Sequence, residues 1–223
     1  TSPWPEAKDL RPVKTLTVAR VKHSGNWDPE PLAWERFGIL YGNDREMKVT
    51  TEDIAPDELN PKVHTLAHVT GTRRLPLDEK EQAALKAYVA GGGTLLVDVT
   101  GGDKKANAVA LVEQMYGQDA VVYVRGSSEV YSLPEMAIDK VHYTRAARME
   151  TGGMSRPRFR GVQVDGRMGV IVSDMDLTAG LVGYPSSQIR GYTSESAYEL
   201  VRNILTYAGK PSEKTEAAEA DGD

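Results

Sequence analysis

Hydrophobic and polar residues follow two periods along this chain, and segments of the two kinds take turns. Thr15 to Lys22 (TLTVARVK) reads as a strand of branched residues. Pro31 to Tyr41 (PLAWERFGILY) has helical spacing, with Asp28 as the expected cap, Pro29 and Pro31 in the first turn, and Gly42 and Asn43 as the stop. Met47 to Thr51 suits a short strand. Val63 to Val69 (VHTLAHV) reads as a buried strand ending at Thr70 and Gly71. Asp78 then caps a helix carrying Leu85, Tyr88 and Val89 at helical spacing, and Gly91, Gly92 and Gly93 end it. Thr94 to Val99 (TLLVDV) is the clearest buried strand. Beyond the loop Thr100, Gly101, Gly102, Asp103, a helix is expected from Lys104 to Tyr116. Residues 118–157 are less regular and read as an insertion. Arg158 to Val164 and Met168 to Ser173 are strand-like and meet at Asp165-Gly166, a strong hairpin signal. Ser194 starts the last helix, with Leu200, Val201, Ile204 and Leu205 mostly on one face before Gly209.

This alternation predicts an α/β fold of three layers, a mostly parallel central sheet with helices on both faces and a β-hairpin in the C-terminal half. With 223 residues the chain fits one large domain. The expected divisions are an extended, proline-bearing arm over 1–13, one domain over 14–209, and an acidic tail over 210–223 (KPSEKTEAAEADGD).

Composition narrows the function. Hydrophobic residues at 40% and charged residues at 26% are those of a folding chain. A net charge of −5 argues against nucleic acid as the main partner, which would need many phosphates neutralised. The basic stretch holding Arg145, Arg148, Arg156, Arg158 and Arg160 is broken by glycine and proline; it reads as a solvated loop, with binding of an anion or acidic partner as the alternative. The absence of cysteine removes disulfides, thiolate metal sites and thiol nucleophiles. No apolar run approaches the ~18 residues of a membrane span, and no signal peptide precedes Thr1, which leaves room for a leader already lost.

The segment HTLAHVTGTRRLPLDEKEQAALKAYVAGGGTLLVDVTGGD, with GVIVSDMDLTAGLVG from Gly169, YELVRNILTYA from Tyr198 and the opening KTLTVARVKHSGNWDPEPLAWERF, resembles the bacterial domain of unknown function four-one-five-nine. The resemblance spans most of Lys14 to Ala208. It implies a glutamine-amidotransferase-like, flavodoxin-like fold and an extracytoplasmic setting in the envelope or outside the cell. It implies little chemistry, and no cofactor is expected.

Amidotransferases of that fold place a cysteine on the turn that follows the strand ending here at Val99, where this chain reads TGGD; glutaminase chemistry by that route is excluded. Thr100 would need an activating base, and sequence places none of His23, His64, His68 or His142 beside it. Open α/β sheets form ligand crevices at the carboxyl ends of their strands, so the candidate ligand-binding residues are His23, Asn26 and Trp27, then Thr70 and Thr72, then Asp98 and Thr100, then Asp174 and Asp176. Convergence of Asp98 with Asp174 or Asp176 would make an acidic pocket for a cation or a hydroxylated ligand; the plainer expectation is that Asp174 and Asp176 cap a turn. His64 and His68, four apart, read as structural histidines, because a strand gives them no third ligand. Trp34 reads as core beside Phe37, and Trp27 beside Asn26 suits sugar stacking or a protein contact.

The sequence thus favours a non-catalytic binding or interaction domain, taking a protein partner or a small polar or carbohydrate ligand. A hydrolase or metal-dependent enzyme using the acidic strand ends is the alternative, and a structural part of a larger assembly is a third.

Overall fold

A computed structural model of the chain describes residues 4–9, 11–100, 108–184 and 188–210. In chain order these form β1 (Thr15–Val21), α1 (Ala33–Arg45), β2 (Lys48–Ile54), β3 (Leu66–Val69), α2 (Glu79–Ala90), β4 (Thr94–Val97), α3 (Ala108–Tyr116), β5 (Val122–Tyr123), α4 (Arg145–Thr151), β6 (Phe159–Val164), β7 (Arg167–Ser173), α5 (Thr178–Val182) and α6 (Ser194–Ala208), with two short 3-10 turns at Pro56–Glu58 and Gln118–Ala120. The loop at 101–103, the expected first turn of the third helix at 104–107 and the tail at 211–223 lie outside the described residues.

The strands form one seven-stranded sheet in the order β2-β1-β3-β4-β7-β6-β5. The first five in that order run parallel, and β6 and β5 are antiparallel additions at one edge. Side-chain alternation splits the core in two. Leu16, Val18, Leu66, Leu96 and Ile171 face α1, α5 and α6, whereas Ala19, Ala67, Leu95, Val97 and Val170 face α2 and α3. The expected hairpin forms between β6 and β7, where Asp165 and Gly166 both take positive φ (50° and 77°), the requirement of a two-residue hairpin turn.

Asp78 caps α2 as its spacing predicts, accepting from the Glu81 amide while the Glu81 carboxylate returns to the Asp78 amide. At Gly93 any side chain would strike the Tyr88 ring, with a Cβ 2.3 Å from Tyr88 Cζ. Other boundaries differ from expectation for local reasons. α1 is not capped by Asp28, whose carboxylate takes Arg20 Nη1 at 2.9 Å, and it runs through Gly42 and Asn43 to end at Glu46, in the left-handed region at φ 55°. Asn43 holds the N-terminal arm instead, accepting from Lys8 N and donating to Glu6 O, each at 2.8 Å. β3 begins only at Leu66, because His64 N closes a turn onto Asn60 O.

The largest difference concerns 118–157. It reads as an irregular insertion, yet Val130, Tyr131, Leu133, Met136, Val141, Tyr143 and Ala147 belong to the main core with α1 and α6. Between β5 and α4 it forms no regular element, and its backbone is held there by turns and by side chains from distant elements. Asn203 of α6, wholly buried, donates to both Val130 O (3.3 Å) and Met136 O (2.7 Å). Asn203→Ala leaves both carbonyls unsatisfied and is expected to lower stability by about 2 kcal/mol in urea unfolding, at roughly 1 kcal/mol for each lost bond; a loss near zero would mean that water replaces the amide there.

Candidate functional site

The chain runs from β1 to one side through β2 and returns to the other side through β3, so the strand-end crevice of such a sheet falls where β1 and β3 end, beside β4. Four of the nine candidate residues, His23, Thr70, Asp98 and Thr100, gather there, and each is bonded to a neighbour.

His23 follows β1 and is 8% exposed. Its Nδ1 accepts the Gly25 amide at 3.0 Å, so the ring proton sits on Nε2, which lies 2.8 Å from Thr70 O and donates to it. The hydroxyls of Thr70 and Thr100 bond each other at 3.2 Å, and Thr100 N donates to Gly71 O. Gly71 allows this closure: a Cβ there would stand 2.9 Å from Leu75 Cδ2 and 3.3 Å from Asn26 O. Thr100 is therefore buried at 2% exposure, with its hydroxyl engaged and no histidine nitrogen on it.

Below this layer Asp98, with no exposed surface, binds four elements together. Trp34 Nε1 of α1 donates to His68 Nδ1 at 3.0 Å. Indole nitrogen only donates, so His68 of β3 carries its proton on Nε2 and gives it to Asp98 Oδ1 at 3.0 Å. Asp98 Oδ2 accepts the amides of Leu177 and Thr178, each at 3.1 Å, and the Thr178 hydroxyl at 3.0 Å. Burial pushes this carboxyl up, but the bond from His68, with help from Thr70 and the Leu177 amide, outweighs it and holds Asp98 below the usual carboxylate range.

That direction fixes a pH dependence. A carboxyl with a lower pKa folded than unfolded adds stability that is complete above the ordinary carboxylate value, about 4, and fades as pH falls through its folded value. Between pH 5 and pH 2 the chain is expected to lose stability partly through Asp98, and Asp98→Asn to show a shallower loss over that window by urea denaturation at each pH.

The remaining candidates are placed apart. Asp176, 1% exposed, takes the Ala179 amide at 2.8 Å, the turn-capping role its position suggests. Asp174 is half-buried and faces Arg160, with Nε 3.7 Å from Oδ2. The three acids thus bond to different partners, and among the described residues no group of three metal-ligating side chains forms. Asn26 is exposed and Thr72 half-buried. Trp27, half-buried, carries the Arg20 guanidinium 5.4 Å from its ring centroid, and the same guanidinium is bonded to Asp53, which keeps Arg20 more basic than usual and Asp53 more acidic. His64 is not on β3; its Nδ1 accepts Asn60 N and its Nε2 faces Glu52.

Sequence reasoning passed over a second concavity. A cavity of about 540 Å³ opens where α4, α5 and α6 begin or end, lined by His142, Arg145, Arg148, Tyr184, Ser194 and Glu195 among others. His142 is the one exposed histidine. The signal in the sequence was the basic stretch from Arg145, whose first two arginines stand on a helix capped by the Thr144 hydroxyl and not in a loop.

A family model described as "Domain of unknown function (DUF4159)" matches residues 17–208. No curated protein matches. Among solved structures the fold is similar to one titled "mmIFT52 N-terminal domain", at 12% identity and a TM-score of 0.40, over 89% of this chain and 99% of that chain.

Proposed function

We propose that this chain, which belongs to the DUF4159 family, is a non-catalytic binding domain of the bacterial envelope or exterior, built on an amidotransferase-like scaffold whose reaction crevice has become part of the core. The observation that carries this reading is the bonding of Asp98. Its two oxygens take bonds from His68, Leu177, Thr178 and no open space, so the most acidic point of the crevice is a tie between β3, β4 and α5. A general acid, a nucleophile or a metal ligand needs a lone pair or proton facing a substrate, and here those are directed inward. The strand order and the resemblance along 14–208 support the scaffold; the resemblance supports the setting.

Functional side chains are commonly held at a cost to stability, so removing them leaves stability unchanged or raises it, whereas scaffold side chains stabilise. His23→Ala breaks the bonds to Thr70 and Gly25 and is expected to lower stability by about 1–2 kcal/mol. A His23→Ala protein as stable as the parent, or more so, in thermal and urea unfolding would contradict the closed crevice and return the hydrolase reading.

A further inference from the structure

We infer that the cavity between α4, α5 and α6 binds a small ligand with an anionic group, carboxylate or phosphate, on an aromatic or apolar body. The inference deepens the binding-domain reading and rests on it. Three features converge. First, the cavity is of small-molecule size, about 540 Å³. Second, its charged lining is predominantly cationic. Among the described residues, Arg145 and Arg148 stand one turn apart on α4, exposed and without an ion pair, and Glu195 is the one carboxylate of the wall. Glu150, the nearest acid in sequence, takes two bonds from Arg190. Third, positive charge also stands behind the wall. Arg36 lies against Gly183, where a Cβ would come within 2.5 Å of its Nε, and its Nη1 reaches Leu181 O at 2.9 Å and Ser194 Oγ at 3.5 Å.

The site is also fixed before a ligand arrives. Thr193 N donates to His142 O and His142 N to Ser196 Oγ, each at 2.9 Å, which locks the entry to α6 against the entry to α4. Gly180 packs α5 onto α6 so closely that a Cβ would stand 2.6 Å from Ala197 Cβ. Thr193 puts no side-chain bond on the first turn of α6, so among the described residues that turn has no side-chain cap. Its amides and the two guanidinium groups thus border one space, with Tyr184 and Ile189 as its apolar side.

The test is nuclear magnetic resonance and calorimetric titration of the full chain with phenyl phosphate, benzoate, inorganic phosphate and phenol. The expected result is saturable shifts of the Gly180, Ser194 and Glu195 amides with phenyl phosphate or benzoate, and affinity at least tenfold above phosphate and phenol; whichever of the two binds tighter identifies the anion. Arg145→Gln with Arg148→Gln is expected to reduce that affinity at least tenfold with the folded spectrum intact. Tyr184→Ala is expected to weaken phenyl phosphate and leave inorganic phosphate unchanged. Shifts scattered over the surface, no saturation with any probe, or equal affinity in the double variant would overturn the inference. That failure would leave the closed crevice standing, since His23→Ala tests it separately.

Discussion

Asp98→Asn is expected to lower stability by about 3 kcal/mol or more, a fall of roughly 6–12 °C in Tm for a chain of this size. The change is almost isosteric, so the loss arises from hydrogen-bond polarity. Around Asp98 every neighbour donates: His68 Nε2, the amides of Leu177 and Thr178, and the Thr178 hydroxyl. An asparagine keeps one acceptor oxygen and turns an NH2 toward donors on the other side. The hydroxyl can rotate to accept. His68 cannot move its proton to Nδ1, because Trp34 Nε1 already donates there, and neither backbone amide can change. One donor pair must face another in a fully buried site. A double-mutant cycle with His68→Gln should give a coupling of about 1–3 kcal/mol between the two positions. If Asp98→Asn were neutral or stabilising, the carboxylate would be a functional group held at a cost.

Phe159→Ala is expected to lower stability by about 3–5 kcal/mol, the range for removing a buried aromatic ring. Phe159 is 1% exposed at the start of β6. Its ring stacks on Tyr131 at 5.6 Å between centroids and meets Tyr192 edge-on at 6.3 Å. Its amide donates to the Tyr131 hydroxyl at 3.2 Å and its carbonyl accepts Val124 N at 2.9 Å. The variant therefore removes the ring that joins segment 118–157 to the sheet. A loss under about 1 kcal/mol in urea unfolding would show that the segment is an appendage, as its irregular sequence suggests.

The parts of this fold that were legible in the sequence are those set by local chemistry. The Asp78 cap, the Asp165-Gly166 turn and the branched runs of β1, β4 and β7 each act within a few residues, and each forms close to where the pattern places it. Segment 118–157 was opaque because its order comes from distant partners such as Asn203 and Phe159, which no window around it contains. The candidate site divides in the same way. Strand-end logic picked out His23, Thr70, Asp98 and Thr100, which lie together at the strand ends, but a polar residue at a strand end reads alike whether it faces a ligand or another polar side chain. Only the bonding of His23 to Thr70 and of His68 to Asp98 separates the two cases. The cavity by α4 was hidden for a further reason: Arg36, Arg145, Tyr184 and Ser194 are far apart in sequence and share no motif.

The most direct test of the closed crevice is the ring-nitrogen spectrum of the histidines, by long-range proton–nitrogen correlation at neutral pH. His23 and His68 are expected each to show one neutral tautomer, protonated at Nε2, with a slowly exchanging proton, while exposed His142 shows averaged signals. Averaged tautomers and rapid exchange at His23 and His68 would mean that water reaches the strand ends, and would contradict the account.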